Sequence, residues 1–295
     1  MHPIGRRVAR GLLRSAGGGR RRGLQLRVWD LRSAWLSRGI DAVAGVEYPC
    51  VDSPEYDAAY ARDHVLERVL PFWERHSVDR EHGGFLTFLT RAGEPYDTMK
   101  SPTLQARMVY AFAIAHELDA RPDRLELARH GVDFLLGPGR DREHGGWLDL
   151  LDRQGRPLDQ DKPLFTQAYV LFGLAHYARV TGDRRLRDQL LEAYDLVELH
   201  AWDPVYGGYY ARCERDWSTK NDCKTICVQL DFMKTTHVLY ELTGEQRFAD
   251  RTIELADLVA TRMRDPRRGV TLERFTRDWR YDPAPSATAS SWGTT

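Results

Sequence analysis

The hexapeptide DREHGG stands at residues 79–84 and returns unchanged at 141–146. The spacing of 62 residues continues along the chain: Gly83, Gly145, Gly207 and Gly269 keep it, as do Asp79, Asp141, Asp203 and Asp265. Lys100, Lys162 and Lys224 fall in step, and so do Gln105, Gln167 and Gln229. TG recurs at 181–182 and 243–244, and DW at 216–217 and 278–279. A gap-free beat of this length marks a repeat architecture, in which units that cannot bury their own apolar face must stack on their neighbours.

Each period holds two helical patterns. Residues 163–180 are apolar almost all round, as in a helix buried on every side, whereas 185–200 carry one apolar stripe (Leu186, Leu190, Tyr194, Val197) against Arg, Asp and Glu. The corresponding pairs are 102–118 with 123–136 and 225–242 with 246–263, and an amphipathic helix is expected over about 55–76 before the first DREHGG. Inner apolar helices alternating with outer amphipathic ones predict an all-α toroid, a ring of helical hairpins with short β-like hairpin connections. The paired glycines are expected to end the outer helices, where positive φ costs glycine little.

Composition narrows the function classes. The first 29 residues hold eight arginines and no acid; without them the chain has 35 basic and 43 acidic side chains, a formal charge of −8. So acidic a body is unsuited to nucleic acid, whose binding rests on phosphate neutralisation. No apolar run reaches the roughly 18 residues of a membrane span. The basic leader lacks an apolar signal core, so a plain tail is expected rather than a targeting segment. Cys50, Cys213, Cys223 and Cys227 suggest free thiols in a reducing, cytoplasmic setting. The C-x3-C pair would lie on one side of a helix, and without a second ligand pair no metal is expected.

Residues shared by every repeat are most simply structural, which covers the Asp and Gly of DREHGG and the inner-helix Lys and Gln. His82 and His144 give way to Tyr206 and Arg268 and are expected to be loop histidines. The informative positions are those in register that differ. Two residues after each shared Gln stand Arg107, Tyr169 and Asp231, one geometric position on three successive inner helices. Converging, they would suit a polyhydroxylated or anionic ligand; a buried polar network that satisfies itself is the equal alternative.

The segments MKSPTLQARMVYAFAIAHEL, KPLFTQAYVLFGLAHYARVTGD, DPVYGGYYARCERDW and ERFTRDW resemble, in order from about residue 56 to 280, the N-acylglucosamine 2-epimerase family, which includes cellobiose 2-epimerases and mannose isomerases. The resemblance implies an (α/α)6 barrel and chemistry at C2 of an open-chain aldose: proton abstraction through a cis-enediolate, with no cofactor and a mono- or disaccharide as partner. Histidine bases suit this chemistry, with a cationic donor for the developing oxyanion. It assigns Arg107 as the catalytic cation and Tyr110 and Tyr169 as pocket aromatics. Asp231 stands where many members have the Asn of Asn-Thr-His-Leu-His, and Thr235 where they have its last His. His237, two residues on and in register with Ala113 and Ala175, is a secondary substrate-binding candidate.

No histidine follows His237, whereas the family's acid/base histidines come later. The sequence-based expectation is therefore about four of six hairpins: an Arg-rich leader and N-terminal segment at 1–54, an incomplete barrel domain at 55–280 and an irregular tail at 281–295. Little or no turnover is expected of such a chain, and an open ring, with exposed apolar faces, favours self-association, including a homodimer. The other function classes are a non-catalytic sugar- or partner-binding helical-repeat protein and an (α/α)6 glycoside hydrolase or lyase. The last needs two facing carboxylates, and Asp231 is the one inner-position carboxylate found.

Overall fold

The computed structural model describes residues 57–218 and 222–283, all within one unit, Glu55–Thr295. The leader, Cys50 and the tail beyond residue 283 lie outside the described residues. Helices dominate, in the predicted order. The first runs in three segments, α1 (Ala58–His64), a π-helical turn (Val65–Val69) and α2 (Leu70–His76). Asp57 caps it, its carboxylate accepting from the Tyr60 N–H at 2.8 Å. The π turn breaks the regular ladder, and the Leu66 carbonyl within it accepts from the guanidinium of buried Arg124 at 2.8 Å.

Three helix pairs follow: α3 (Pro102–Asp119) with α4 (Pro122–Leu136), α5 (Leu164–Thr181) with α6 (Arg184–Ala201), and α7 (Ile226–Thr243) with α8 (Gln246–Arg262). These match the predicted spans to within a residue at almost every end. The inner helices α3, α5 and α7 pack side by side in chain order, each backed by its outer partner. The core lies between these layers, from Leu66 and Phe85 to Phe248 and Leu255. Inner α5 is buried on most sides, while α6 buries one stripe that includes Leu186, Leu190, Tyr194 and Val197. Among the described residues no helix is long and apolar enough to cross a membrane.

The inner helices end alike, and here the TG pairs find their use. Ala120, Gly182 and Gly244, 62 residues apart, adopt left-handed φ of 57°, 69° and 72°. Their N–H groups return to the carbonyls of His116, Ala178 and Tyr240, satisfying acceptors that the helix end leaves free. Glycine meets this geometry without strain; Ala120 does not.

Contrary to the expectation from its sequence, the DREHGG motif does not end the outer helix. The helices stop earlier, at His76, Leu136 and Ala201, and the motif forms a separate turn that bridges Val78 to Phe85, Arg140 to Trp147 and Trp202 to Tyr209. The Asp side chain shapes it: Asp79 accepts from the N–H groups of Glu81 and His82, each at 3.2 Å. The second glycine is required by contact as well as by φ. A Cβ on Gly146 (φ +69°) would stand 2.6 Å from the Trp217 ring and 2.7 Å from the Gln167 amide oxygen.

Two interactions repeat around this turn. Gln105, Gln167 and Gln229 each clamp the backbone of the aromatic residue after the glycines: the amide oxygen of Gln167 accepts from the Trp147 N–H at 2.9 Å and its nitrogen donates to the Trp147 carbonyl at 2.7 Å. Phe85 and Tyr209 are held the same way. The turn aspartate also receives a fully buried lysine and an arginine 74 residues on. Lys100, Lys162 and Lys224 reach Asp79, Asp141 and Asp203 at 2.8, 2.9 and 2.9 Å. Arg153, Arg215 and Arg277 reach the same carboxylates at 3.0, 3.2 and 3.0 Å. Burial by itself would raise these carboxyl pKa values, but the arginine, lysine and backbone donors hold all three well below the usual carboxylate range. Each triad thereby pins the hairpin after one outer helix to the entry of the next inner helix and to the hairpin beyond.

Short antiparallel pairs make the connections: β1 (Phe88–Leu89) with β2 (Pro95–Asp97), β3 (Leu150–Leu151) with β4 (Pro157–Asp159), and β5 (Lys162–Pro163) with β6 (Arg212–Cys213). Further along, β7 (Cys223–Thr225) pairs with β10 (Arg274–Thr276), and β8 (Arg264–Asp265) with β9 (Val270–Thr271). Cys223 thus lies in a strand and Cys227 in the first turn of α7, so the C-x3-C pair does not share a helix face. Cys213, Cys223 and Cys227 are free thiols; the first two are buried and Cys227 is exposed.

Candidate functional site

Arg107, Tyr169 and Asp231 each stand five residues beyond the first residue of α3, α5 and α7. Because these helices pack side by side in the same register, the three side chains come together. The Arg107 guanidinium carbon lies 4.4 Å from the centre of the Tyr169 ring. Lys234, one turn beyond Asp231 on α7, approaches the same ring at 4.8 Å and pairs with the Asp231 carboxylate at 2.7 Å. All four line a cavity of about 520 Å3, otherwise walled by Phe165, Leu230, Met233 and Cys227. Apolar walls with a few convergent polar groups are the usual make-up of a small-molecule site.

The electrostatics are uneven. Asp231 is buried, and that burial raises its carboxyl pKa; Lys234, Arg107 and Tyr169 pull the other way without cancelling it. Burial works against the Lys234 ammonium, yet the Asp231 carboxylate keeps its pKa above the ordinary lysine value. Arg107 is exposed to the cavity, and among the described residues no carboxylate forms an ion pair with it. The alternative of a self-satisfied polar network therefore fits Asp231 and Lys234 but not Arg107.

Other candidates sit nearby but outside the lining. Tyr110 lies one turn deeper on α3, packed 4.9 Å from Phe172 and 4.8 Å from His176. Burial lowers the His176 pKa to about 4, so this imidazole is neutral at pH 7. His237 does not line the cavity: its ring approaches Glu241 at 3.6 Å on its own helix. Thr235 is also turned away, its hydroxyl donating to the Ala168 carbonyl at 3.0 Å and the Asp231 carbonyl at 2.8 Å. His82 and His144 stand in the hairpin turns, beside Glu81 and Glu143. A second concavity, of about 370 Å3, lies over Asp141 and Arg215, whose charges already satisfy one another.

Lys234 was not anticipated. The signal was available three residues beyond the chosen column, where Tyr110, Phe172 and Lys234 share the 62-residue register. Of these three only Lys234 is charged, and only the packing shows that its ammonium turns back over Tyr169.

The chain resembles known proteins in sequence and in fold. The N-acylglucosamine 2-epimerase (GlcNAc 2-epimerase) family profile matches residues 83–295. A cellobiose 2-epimerase of Bacteroides fragilis is 26% identical over 226 residues, 73% of this chain and 58% of that protein. The N-acylglucosamine 2-epimerase of Mus musculus is 35% identical over 139 residues, 46% of this chain and 33% of that protein. Among solved structures, the cellobiose 2-epimerase of Spirochaeta thermophila superposes with a TM-score of 0.71 at 26% identity, covering 76% of this chain and 58% of that one. The chain thus spans less than two thirds of the length of these relatives, while its helix pairs follow their (α/α)6 fold. With a profile match across most of its length, the chain belongs to the N-acylglucosamine 2-epimerase family.

Proposed function

We propose that the cavity binds an open-chain aldose and serves proton transfer at C2 through a cis-enediolate, as in a sugar 2-epimerase or aldose–ketose isomerase. The observation that carries this is the convergence of Arg107, Tyr169 and Asp231 from three inner helices into one cavity. When the C2 proton leaves, negative charge develops on the C1 oxygen. A guanidinium that forms no carboxylate ion pair among the described residues, already placed against the cavity wall, stabilises that charge more than it stabilises the neutral carbonyl. Asp231 accepts hydrogen bonds from sugar hydroxyls, and Tyr169 offers an aromatic face to the C–H side of the ligand.

Turnover by the 295-residue chain alone is expected to be low. Among the described residues no histidine lines the cavity, and a carboxylate is matched less well than an imidazole to moving this proton near pH 7. The same observation supports a second reading, a sugar-binding protein without turnover. Incubating the full chain with mannose, cellobiose or N-acetylglucosamine in D2O, and following C2 deuteration by proton NMR alongside calorimetric binding, separates the two. Slow exchange that Arg107→Ala reduces by about 100-fold supports the catalytic proposal. Binding without exchange selects the second reading, and no binding of any of these sugars refutes both.

A further inference from the structure

Residues in register on the inner helices fall in layers. Along α3, α5 and α7 these are Thr103, Phe165 and Cys227; then Arg107, Tyr169 and Asp231; then Tyr110, Phe172 and Lys234. Successive layers are three or four residues apart, about 5 Å along the helix axis. Glu273 interacts with the Cys227 thiol in the first of these layers. Asp231 and Arg107 share the middle layer. In the third layer Lys234 is the sole charged group, set between the Tyr169 and Phe172 rings at 4.8 and 5.9 Å. Deeper still, Glu117 is engaged by Arg179 at 2.8 Å and His176 is neutral at pH 7.

Lys234 is not used up by its partner. An ammonium has three donors; Asp231 takes one at 2.7 Å and the Tyr169 side chain engages another, and the lysine side chain remains 44% exposed, facing the cavity it lines. The cavity walls carry two cations, Arg107 and Lys234, against the one carboxylate of Asp231. A neutral sugar leaves that imbalance in place, whereas a ligand with one negative charge removes it.

We infer that this pocket selects acidic sugars, with Lys234 as the specificity-determining residue that anchors a carboxylate or phosphate at the end of the sugar remote from C1. The geometry divides the labour. Arg107 and Lys234 approach the same Tyr169 ring, at 4.4 and 4.8 Å, so a hexose held with C1 and C2 at Arg107 keeps its far end within the cavity that Lys234 lines. The aromatic rings beside the ammonium fix its place in the cavity, while Tyr169 and Phe165 wall the space beside the sugar ring. This rests on the sugar-binding reading of the pocket but not on turnover.

The test is calorimetric titration of the full chain with D-glucuronate, D-glucose 6-phosphate and D-glucose at low and high salt. The acidic sugars are expected to bind about tenfold more tightly than glucose, with the margin shrinking as salt rises. Lys234→Gln is expected to bring the margin close to unity, and Lys234→Arg to preserve it. Glucuronate and glucose 6-phosphate distinguish a carboxylate from a phosphate requirement, and preference for either supports the inference. Glucose binding as tightly as both acids, or an unchanged margin in Lys234→Gln, overturns it while leaving the sugar-binding reading intact. Acetate or inorganic phosphate binding as tightly as the acidic sugars also overturns it, since the site would then recognise only charge. No binding of any sugar overturns both.

Discussion

Lys162→Met tests the repeated triads most directly. Methionine is unbranched and of similar length, so the substitution removes the ammonium while largely filling its space. What it leaves is Asp141, with its side chain fully buried and its charge met from one side by Arg215. Removing one partner of a buried ion pair costs about 3–5 kcal/mol when the remaining charge is uncompensated. Arg215 still donates at 3.2 Å from Nε, but its side chain is 38% exposed and its field is screened. The loss should therefore fall near the lower bound, about 3 kcal/mol, with the Arg215 carbonyl also losing a donor. For a domain of this size that lowers Tm by roughly 6–12 °C. Urea unfolding followed by circular dichroism measures it, with Arg156→Gln as comparison: Arg156 pairs with Asp152 at the surface, and its loss should cost less than about 0.5 kcal/mol. A Lys162→Met cost below about 1 kcal/mol, or no larger than that of Arg156→Gln, refutes the reasoning that the buried lysine joins the repeats.

Ala120→Gly should stabilise the protein by about 0.5–1 kcal/mol, because Ala120 holds φ 57° where the other repeats have glycine; Gly182→Ala should destabilise it by about 1 kcal/mol, both read from urea midpoints. Acid should unfold the chain through the triads. Asp79, Asp141 and Asp203 have folded pKa values below their unfolded ones, so their contribution is complete above about pH 4 and is lost as pH falls further toward the folded values. Urea midpoints at pH 7, 5 and 3 should show the steepest drop in the last interval, and Lys162→Met should flatten it; a midpoint independent of pH down to 3 refutes the assignment.

Much of the architecture is legible in the sequence. A 62-residue beat with one apolar and one amphipathic helix per period required stacked helical pairs, and helix periodicity is a local property that a sequence displays directly. The same register located Arg107, Tyr169 and Asp231, because residues at equal depth on parallel neighbours must face the same side. The Gly-Gly pairs mark a turn without saying which one, since left-handed φ serves a helix end and a separate hairpin turn alike. The carboxylates that shape that turn take partners 21 and 74 residues away.

By itself, then, the sequence determined the repeat, the inner and outer helices, and the column of residues that differ among copies, all of which follow from spacing along one chain. Tertiary packing decided the rest. It turned three lysines inward onto aspartates from the preceding hairpins, directed Thr235 onto a neighbouring backbone carbonyl, and brought Lys234 over Tyr169 so that two cations and one carboxylate share a cavity. Those outcomes depend on how far helices approach and which side-chain directions the contact leaves open, and no periodicity encodes that.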